Sequence, residues 1–88
     1  MVWQIKFEPK ALKELKKLDQ PTQKRILNYI QKQISSAQNP RISGKALTGN
    51  KQGLWRYRVG DYRIVCQIID EELIIVVIKV GHRRSVYK

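Results

Sequence analysis

Arg56, Arg58 and Arg63 stand on either side of a Gly60-Asp61 pair, and the chain closes on His82, Arg83, Arg84 and Tyr87, followed by Lys88. Guanidinium groups are planar donor forks that match phosphate oxygens. An arginine does not deprotonate usefully in a protein, so this set can hold anionic charge but cannot act as a general base through its arginines. Histidine has the ordinary pKa suited to proton transfer near neutrality, and a tyrosine reaches it only if neighbouring cations lower its own. Together the residues have the parts to bind a phosphate and to move a proton beside it.

These residues must be brought together by the elements that carry them. "LWRYRV" and "DYRIVCQIID" read as two strands joined by a two-residue turn at Gly60-Asp61. Such a turn sets Val59 opposite Tyr62 and Arg58 opposite Arg63, with Arg56 on the same face. Trp55, Tyr57, Val59, Tyr62, Ile64, Cys66 and Ile68 then point to the other side, toward the helices. Like charges directly opposite on a sheet cost a few tenths to about 1 kcal/mol, and a bound phosphate on that face accounts for them. "ELIIVVIKV" is nearly continuous in apolar residues, which predicts a central strand covered on both sides. Gly81 permits a change of direction after it, so that the strand delivers His82, Arg83, Arg84 and Tyr87 beside the arginines.

The rest of the chain supplies the packing. Val2 to Phe7 alternates apolar and polar residues and reads as a strand. Pro9 opens an amphipathic helix to Leu18, with Leu12, Leu15 and Leu18 on one side. Asp19 caps a second helix, whose Ile26, Leu27, Ile30 and Ile34 form an apolar stripe ending before Ala37. Asn39 to Gly53 reads as an ordered basic loop carrying Arg41, Lys45 and Lys51. A second turn near Asp70-Glu71 leads to the last strand, and no connection among the last three strands is long enough for a crossover helix. The expected fold is therefore α+β in one domain, residues 1–88: an amino-terminal strand, a helical hairpin, then a three-stranded antiparallel meander in one twisted sheet packed on the helices.

Composition bounds the function. There are 18 Lys and Arg against 7 Asp and Glu, a formal net charge of +11. No acid occurs between Gln20 and Gly60, where Lys24, Arg25, Lys32, Arg41, Lys45, Lys51, Arg56 and Arg58 all fall. An anionic partner follows from that. One cysteine and one histidine exclude an internal disulfide and a structural zinc site. With no carboxylate pair beside the arginines, no metal and no cofactor are expected. No apolar stretch reaches membrane-spanning length, so a soluble, cytoplasmic protein without a membrane partner is expected. Cys66 reads as buried and inert, and Trp3, Trp55 and Tyr57 as core aromatics.

"LWRYRVGDYRIVCQIID" followed by "VGHRRSVY", after a helical hairpin and "SGKALTG", resembles the RelE branch of the RelE/ParE toxin superfamily from Trp3 to Tyr87. The resemblance implies a type II toxin paired with an acidic RelB-like antitoxin. The toxin alone would be monomeric, and its complex with the antitoxin of higher order. It further implies metal-independent endonuclease action on messenger RNA in the ribosomal A site. The family's site falls on Arg56, Arg58, Arg63, Arg83 and Tyr87, and Lys45, Lys51, Arg41, Arg84 and Lys88 become candidate contacts to RNA and ribosome. Where the best-known members have lysines, this chain has Arg56 and Arg58. Proton abstraction from an attacking 2′-hydroxyl is thereby left to Tyr87, to His82 or to the ribosome. A ParE-like toxin acting on gyrase and a plain basic RNA-binding module are the alternatives.

Overall fold

The structure, a computed structural model, describes residues 2–49 and 53–84. Its strands are β1 (Gln4–Phe7), β2 (Lys45–Ala46), β3 (Trp55–Val59), β4 (Tyr62–Ile69) and β5 (Ile74–His82), and its helices are α1 (Pro9–Lys16) and α2 (Gln20–Tyr29). Helix α2 runs on as a π-helical segment, Ile30–Ser35. The sheet has the order β1-β5-β4-β3-β2, with β1 parallel to β5 and every other pair antiparallel. This is the α+β fold expected, with one strand more. No helix among the described residues is long and apolar enough to cross a membrane.

The helices form as their end signals dictate. Pro9 starts α1 in the first turn, where its missing N–H costs nothing. Asp19 caps α2: its carboxylate accepts from the Thr22 N–H at 3.3 Å and from the Thr22 hydroxyl at 2.7 Å. Ala11 and Leu15 of α1 and Ile26, Ile30 and Ile34 of α2 and its extension are buried against one face of the sheet. That face supplies Tyr57, Val59, Ile64, Cys66, Ile75, Val77 and Val80. Each large apolar side chain so buried contributes about 1.5–3 kcal/mol.

The differences from the expected elements have local causes. The first strand begins at Gln4 rather than Val2. Trp3 instead exchanges hydrogen bonds with the end of the π-helical segment, its N–H donating to the Ser35 carbonyl at 2.8 Å and its carbonyl accepting from the Ser35 hydroxyl at 2.8 Å. Helix α1 stops at Lys16, two residues short of Leu18. The predicted loop contains β2, which pairs Lys45 with Arg56 and Ala46 with Trp55. Asp70–Glu72 forms a 3-10 turn closed by Leu73 in the left-handed region at φ 54°, so Ile69 pairs with Ile74 and the connection is longer than two residues. Gly81 is no hinge: it lies within β5, paired with Arg63.

Strand β5 is central, between β1 and β4, and among the described residues helices pack on one of its sides only. Ile75, Val77 and Val80 are buried, whereas Ile74 and Val76, which point away from the helices, are half-exposed. A β-bulge lies opposite Val65 and Cys66, which pair with Lys79 and Val77 and leave Ile78 unpaired. Helix α1 is tied to this point, because the Glu14 carboxylate accepts from the Val80 N–H at 3.0 Å.

Candidate functional site

The sheet face turned away from the helices carries two rows of cross-strand neighbours. In the first, Lys45 pairs with Arg56, Arg56 with Val65 and Val65 with Lys79. In the second, Arg58 pairs with Arg63 and Arg63 with Gly81. Cross-strand partners project to the same side. Lys45, Arg56, Arg58, Arg63 and Lys79 therefore share the face turned away from the helices. Val65, only 3% exposed yet outside the apolar core cluster, is flanked there by the aliphatic stems of Arg56 and Lys79.

The arginines are not equivalent. Arg58 is exposed. Arg63 is 8% exposed, and its Nη1 donates to the carbonyls of Gly60 at 3.2 Å and Tyr62 at 3.1 Å, so it also clasps the β3–β4 turn. The Nε of Arg56 is buried with no hydrogen-bond partner. A buried donor left unsatisfied costs about 1–3 kcal/mol, and the core Trp3 Nε1 is in the same position. Lys45, Arg56 and Arg58 line a hollow of about 170 Å³ together with Tyr29 and Gly44.

Lys45 owes its place to a clamped loop. The Tyr57 hydroxyl donates to the Pro40 carbonyl at 2.6 Å and Trp55 Nε1 to the Ser43 carbonyl at 2.8 Å. Burial pushes the Tyr57 phenol far above its ordinary pKa, so it remains a donor. Gly44 has φ +82°, and a Cβ there would stand 2.3 Å from the Arg56 carbonyl oxygen. The Arg41 guanidinium grips Asp70 with both Nη atoms, at 2.8 and 2.9 Å. Those hydrogen bonds hold the Asp70 carboxyl below the usual carboxylate range and raise Arg41 further. Arg41, expected among the contacts to an anionic partner, is thus committed to fastening the loop to the β4–β5 turn.

At the end of β5 the tail residues divide. The Arg83 N–H donates to the Asp61 carbonyl at 2.8 Å, which fixes Arg83 beside the turn that carries Arg58 and Arg63. His82 pairs with Tyr62, which pairs with the core residue Val59, so His82 lies on the helix-facing side of the sheet and not with the arginines. Its ring meets Tyr62 edge-on at 5.7 Å, and its Nδ1 accepts from the Arg84 N–H at 3.3 Å. Arg84 is exposed next to it. Lys51, Tyr87 and Lys88 lie outside the described residues. Cys66 is fully buried and its thiol is pushed up to about 12 by that burial, while Trp3 and Tyr57 are core and Trp55 packs against it. Sequence reasoning missed Lys79 because only the bulge brings it into register with Val65.

The fold has close parallels. A family model described as the ParE toxin of the type II toxin-antitoxin system parDE matches residues 5–87. The chain is 39% identical over 84 residues to a putative RelE-like toxin protein of Escherichia coli, covering 94% of this chain and 85% of that one. It is 32% identical over 84 residues to the mRNA interferase toxin RelE of Escherichia coli, with the same coverage. Among solved structures, the toxin-antitoxin complex RelBE2 of Mycobacterium tuberculosis contains a chain that superposes with a TM-score of 0.86 at 26% identity, covering 94% of this chain and 93% of that one. With its helical hairpin, mixed sheet and arginine-bearing β3–β4 hairpin, the chain belongs to the ParE toxin family of type II toxin-antitoxin systems, and within it is a RelE-like toxin.

Proposed function

We propose that this toxin is an endoribonuclease that cleaves messenger RNA in the ribosomal A site by attack of a 2′-hydroxyl on the adjacent phosphorus, without metal. The observation that carries the reading is the cationic face itself: Arg56 and Arg58 beside Arg63 on the side of the sheet turned away from the helices. That the relatives at 32% identity are named mRNA interferases supports it.

Internal attack needs a base at the 2′-hydroxyl, positive charge at the pentacoordinate phosphorus and a proton for the departing 5′-oxygen. Arg56, Arg58 and Arg63 hold the scissile and neighbouring phosphates. Arg83, fixed beside the turn, stabilises the charge that develops on the non-bridging oxygens and on the leaving group. Tyr87 takes the base role, for which neighbouring cations would have to lower its pKa, or stacks on a splayed base. His82 on the opposite face, with Nδ1 already accepting a hydrogen bond, is better suited to fixing the end of β5. The partner is an acidic antitoxin, as the toxin-antitoxin complexes among the structural neighbours support.

Primer extension on messenger incubated with purified toxin, with and without ribosomes, tests the reading. Cuts at A-site codons only when ribosomes are present are expected. Loss of DNA supercoiling before any loss of protein synthesis would instead assign the toxin to gyrase.

A further inference from the structure

Helix α2 and its π-helical extension turn a polar stripe toward the outer edge of β3. Arg25, Asn28, Tyr29, Lys32 and Gln33 recur at the spacing of a single helical face, and with Arg58 they line a hollow of about 290 Å³. Val59 and Gly60 complete its lining. Strand β2 pairs only with Trp55 and Arg56, so among the described residues no strand covers the edge of β3 at residues 57–59. The Arg25 guanidinium lies over the turn, since a Cβ built on Gly60 would stand 3.0 Å from its Nη1. No acidic side chain among the described residues forms an ion pair with Arg25, Lys32 or Arg58. Tyr29 and Arg58 also line the hollow over Arg56 and Lys45, so the two cavities share a wall.

A helix face that borders a sheet edge is ordinarily apolar, and this one alternates cations with amides. Arg25 and Lys32 stand about 10 Å apart along the helix, with Asn28 between them and Gln33 beyond. Cations suit phosphates and carry no sequence information; carboxamides pair with base edges. An acidic peptide would satisfy the cations as well, and the test below includes it as an outcome against the subsite. We propose that the groove between α2 and β3 is a second RNA subsite, in which Arg25 and Lys32 hold backbone phosphates of a strand continuous with, or adjacent to, the one at the arginine face, and Asn28 and Gln33 meet its bases. The proposal rests on the nuclease reading above. The strand is either the messenger flanking the cut or a ribosomal segment beside it.

The probe is a fluorescent single-stranded RNA decamer titrated with the full chain at several salt concentrations, with the double variant Arg25→Gln, Lys32→Gln. Both residues are exposed, and an unchanged thermal midpoint checks that the fold is kept. Each phosphate contact to a single strand contributes about 0.7 to the slope of log affinity against log salt, so the double variant should lose about 1.4 and bind roughly 10- to 30-fold more weakly at 0.1 M salt. The charge-keeping variant Arg25→Lys, Lys32→Arg should restore the slope. Asn28→Ala with Gln33→Ala should flatten preference among decamers of different sequence while leaving the slope. On ribosomes, loss of affinity without messenger assigns the groove to ribosomal RNA, and loss only with messenger in the A site assigns it to the messenger; either outcome supports the subsite. No decamer binding by the parent, an unchanged slope in the double variant, or a loss confined to antitoxin binding overturns it. If the parent never cleaves programmed ribosomes yet the slope falls as stated, the nuclease reading fails and the groove stands. Cleavage with an unchanged slope has the reverse meaning.

Discussion

On the function proposed, stability and activity pull in opposite directions at Arg56. Its Nε is buried without a partner, a cost to the free toxin of about 1–3 kcal/mol. Arg56→Ala should therefore leave the thermal midpoint unchanged or higher, while cleavage at saturating ribosomes falls about 10²- to 10³-fold, the usual loss when one preorganised charge contact is removed. A variant that unfolds early would show that the guanidinium is structural. Arg63 should behave differently, since it also clasps the Gly60 and Tyr62 carbonyls, and Arg63→Ala should lose stability and rate together. In the tail, Arg83→Ala should slow cleavage without unfolding the chain. Tyr87→Phe keeps the ring and removes only the hydroxyl. Retention of most single-turnover rate by that variant would make Tyr87 a stacking residue and leave the base role to the ribosome, since His82 lies on the opposite face. Gly44→Ala should be the most damaging loop substitution, because a Cβ there meets the Arg56 carbonyl oxygen at 2.3 Å and requires a left-handed backbone.

At the scale of elements, most of what positions the site could be read from residue order. The Arg58–Arg63 pairing follows from a two-residue turn and a period of two, and both hold in the structure. The helix starts at Pro9 and Asp19 follow from proline geometry and capping. What escaped was set by contacts distant in sequence. Strand β2 is two residues long and exists because Tyr57, Trp55 and Gly44 draw the loop onto β3. The bulge that aligns Lys79 with Val65 has no signal in "LIIVVIKV", where every residue but the lysine is apolar. The pairing of Arg41 with Asp70 spans 29 positions. That pair makes a pH-dependent clamp. Because Asp70 is held below its ordinary pKa, its contribution is complete above the unfolded value of about 3.9 and is lost as pH falls through the lower folded value. Thermal midpoints of the parent and of Asp70→Asn should therefore differ at neutral pH and converge in strong acid. A constant difference across that range would mean that the ion pair is not what fastens the loop.

The sheet has helices on one side and Lys45, Arg56, Arg58, Arg63 and Lys79 on the other, the helices carry further cations, and the formal net charge is +11. Ile74 and Val76 on the side away from the helices are only partly buried, and no helix or strand among the described residues packs over them. On the function proposed, the face an antitoxin would cover is also the face RNA must reach. Charge of one sign over that face makes both encounters electrostatically steered and steeply salt-dependent. An acidic antitoxin that neutralises Arg56, Arg58 and Arg63 should compete with RNA rather than bind beside it. Toxin preincubated with its antitoxin should fail to shift a labelled RNA decamer, and rising decamer concentration should displace antitoxin most readily at low salt, where both ligands bind most tightly. The Arg56→Ala, Arg58→Ala double variant should weaken both ligands, with a shallower salt slope for each. Should a stable ternary complex of toxin, antitoxin and RNA form instead, the antitoxin must act from the helical side, through the amphipathic hairpin with its exposed Leu12 and Leu27, and inhibition would be conformational rather than a matter of covering the arginines.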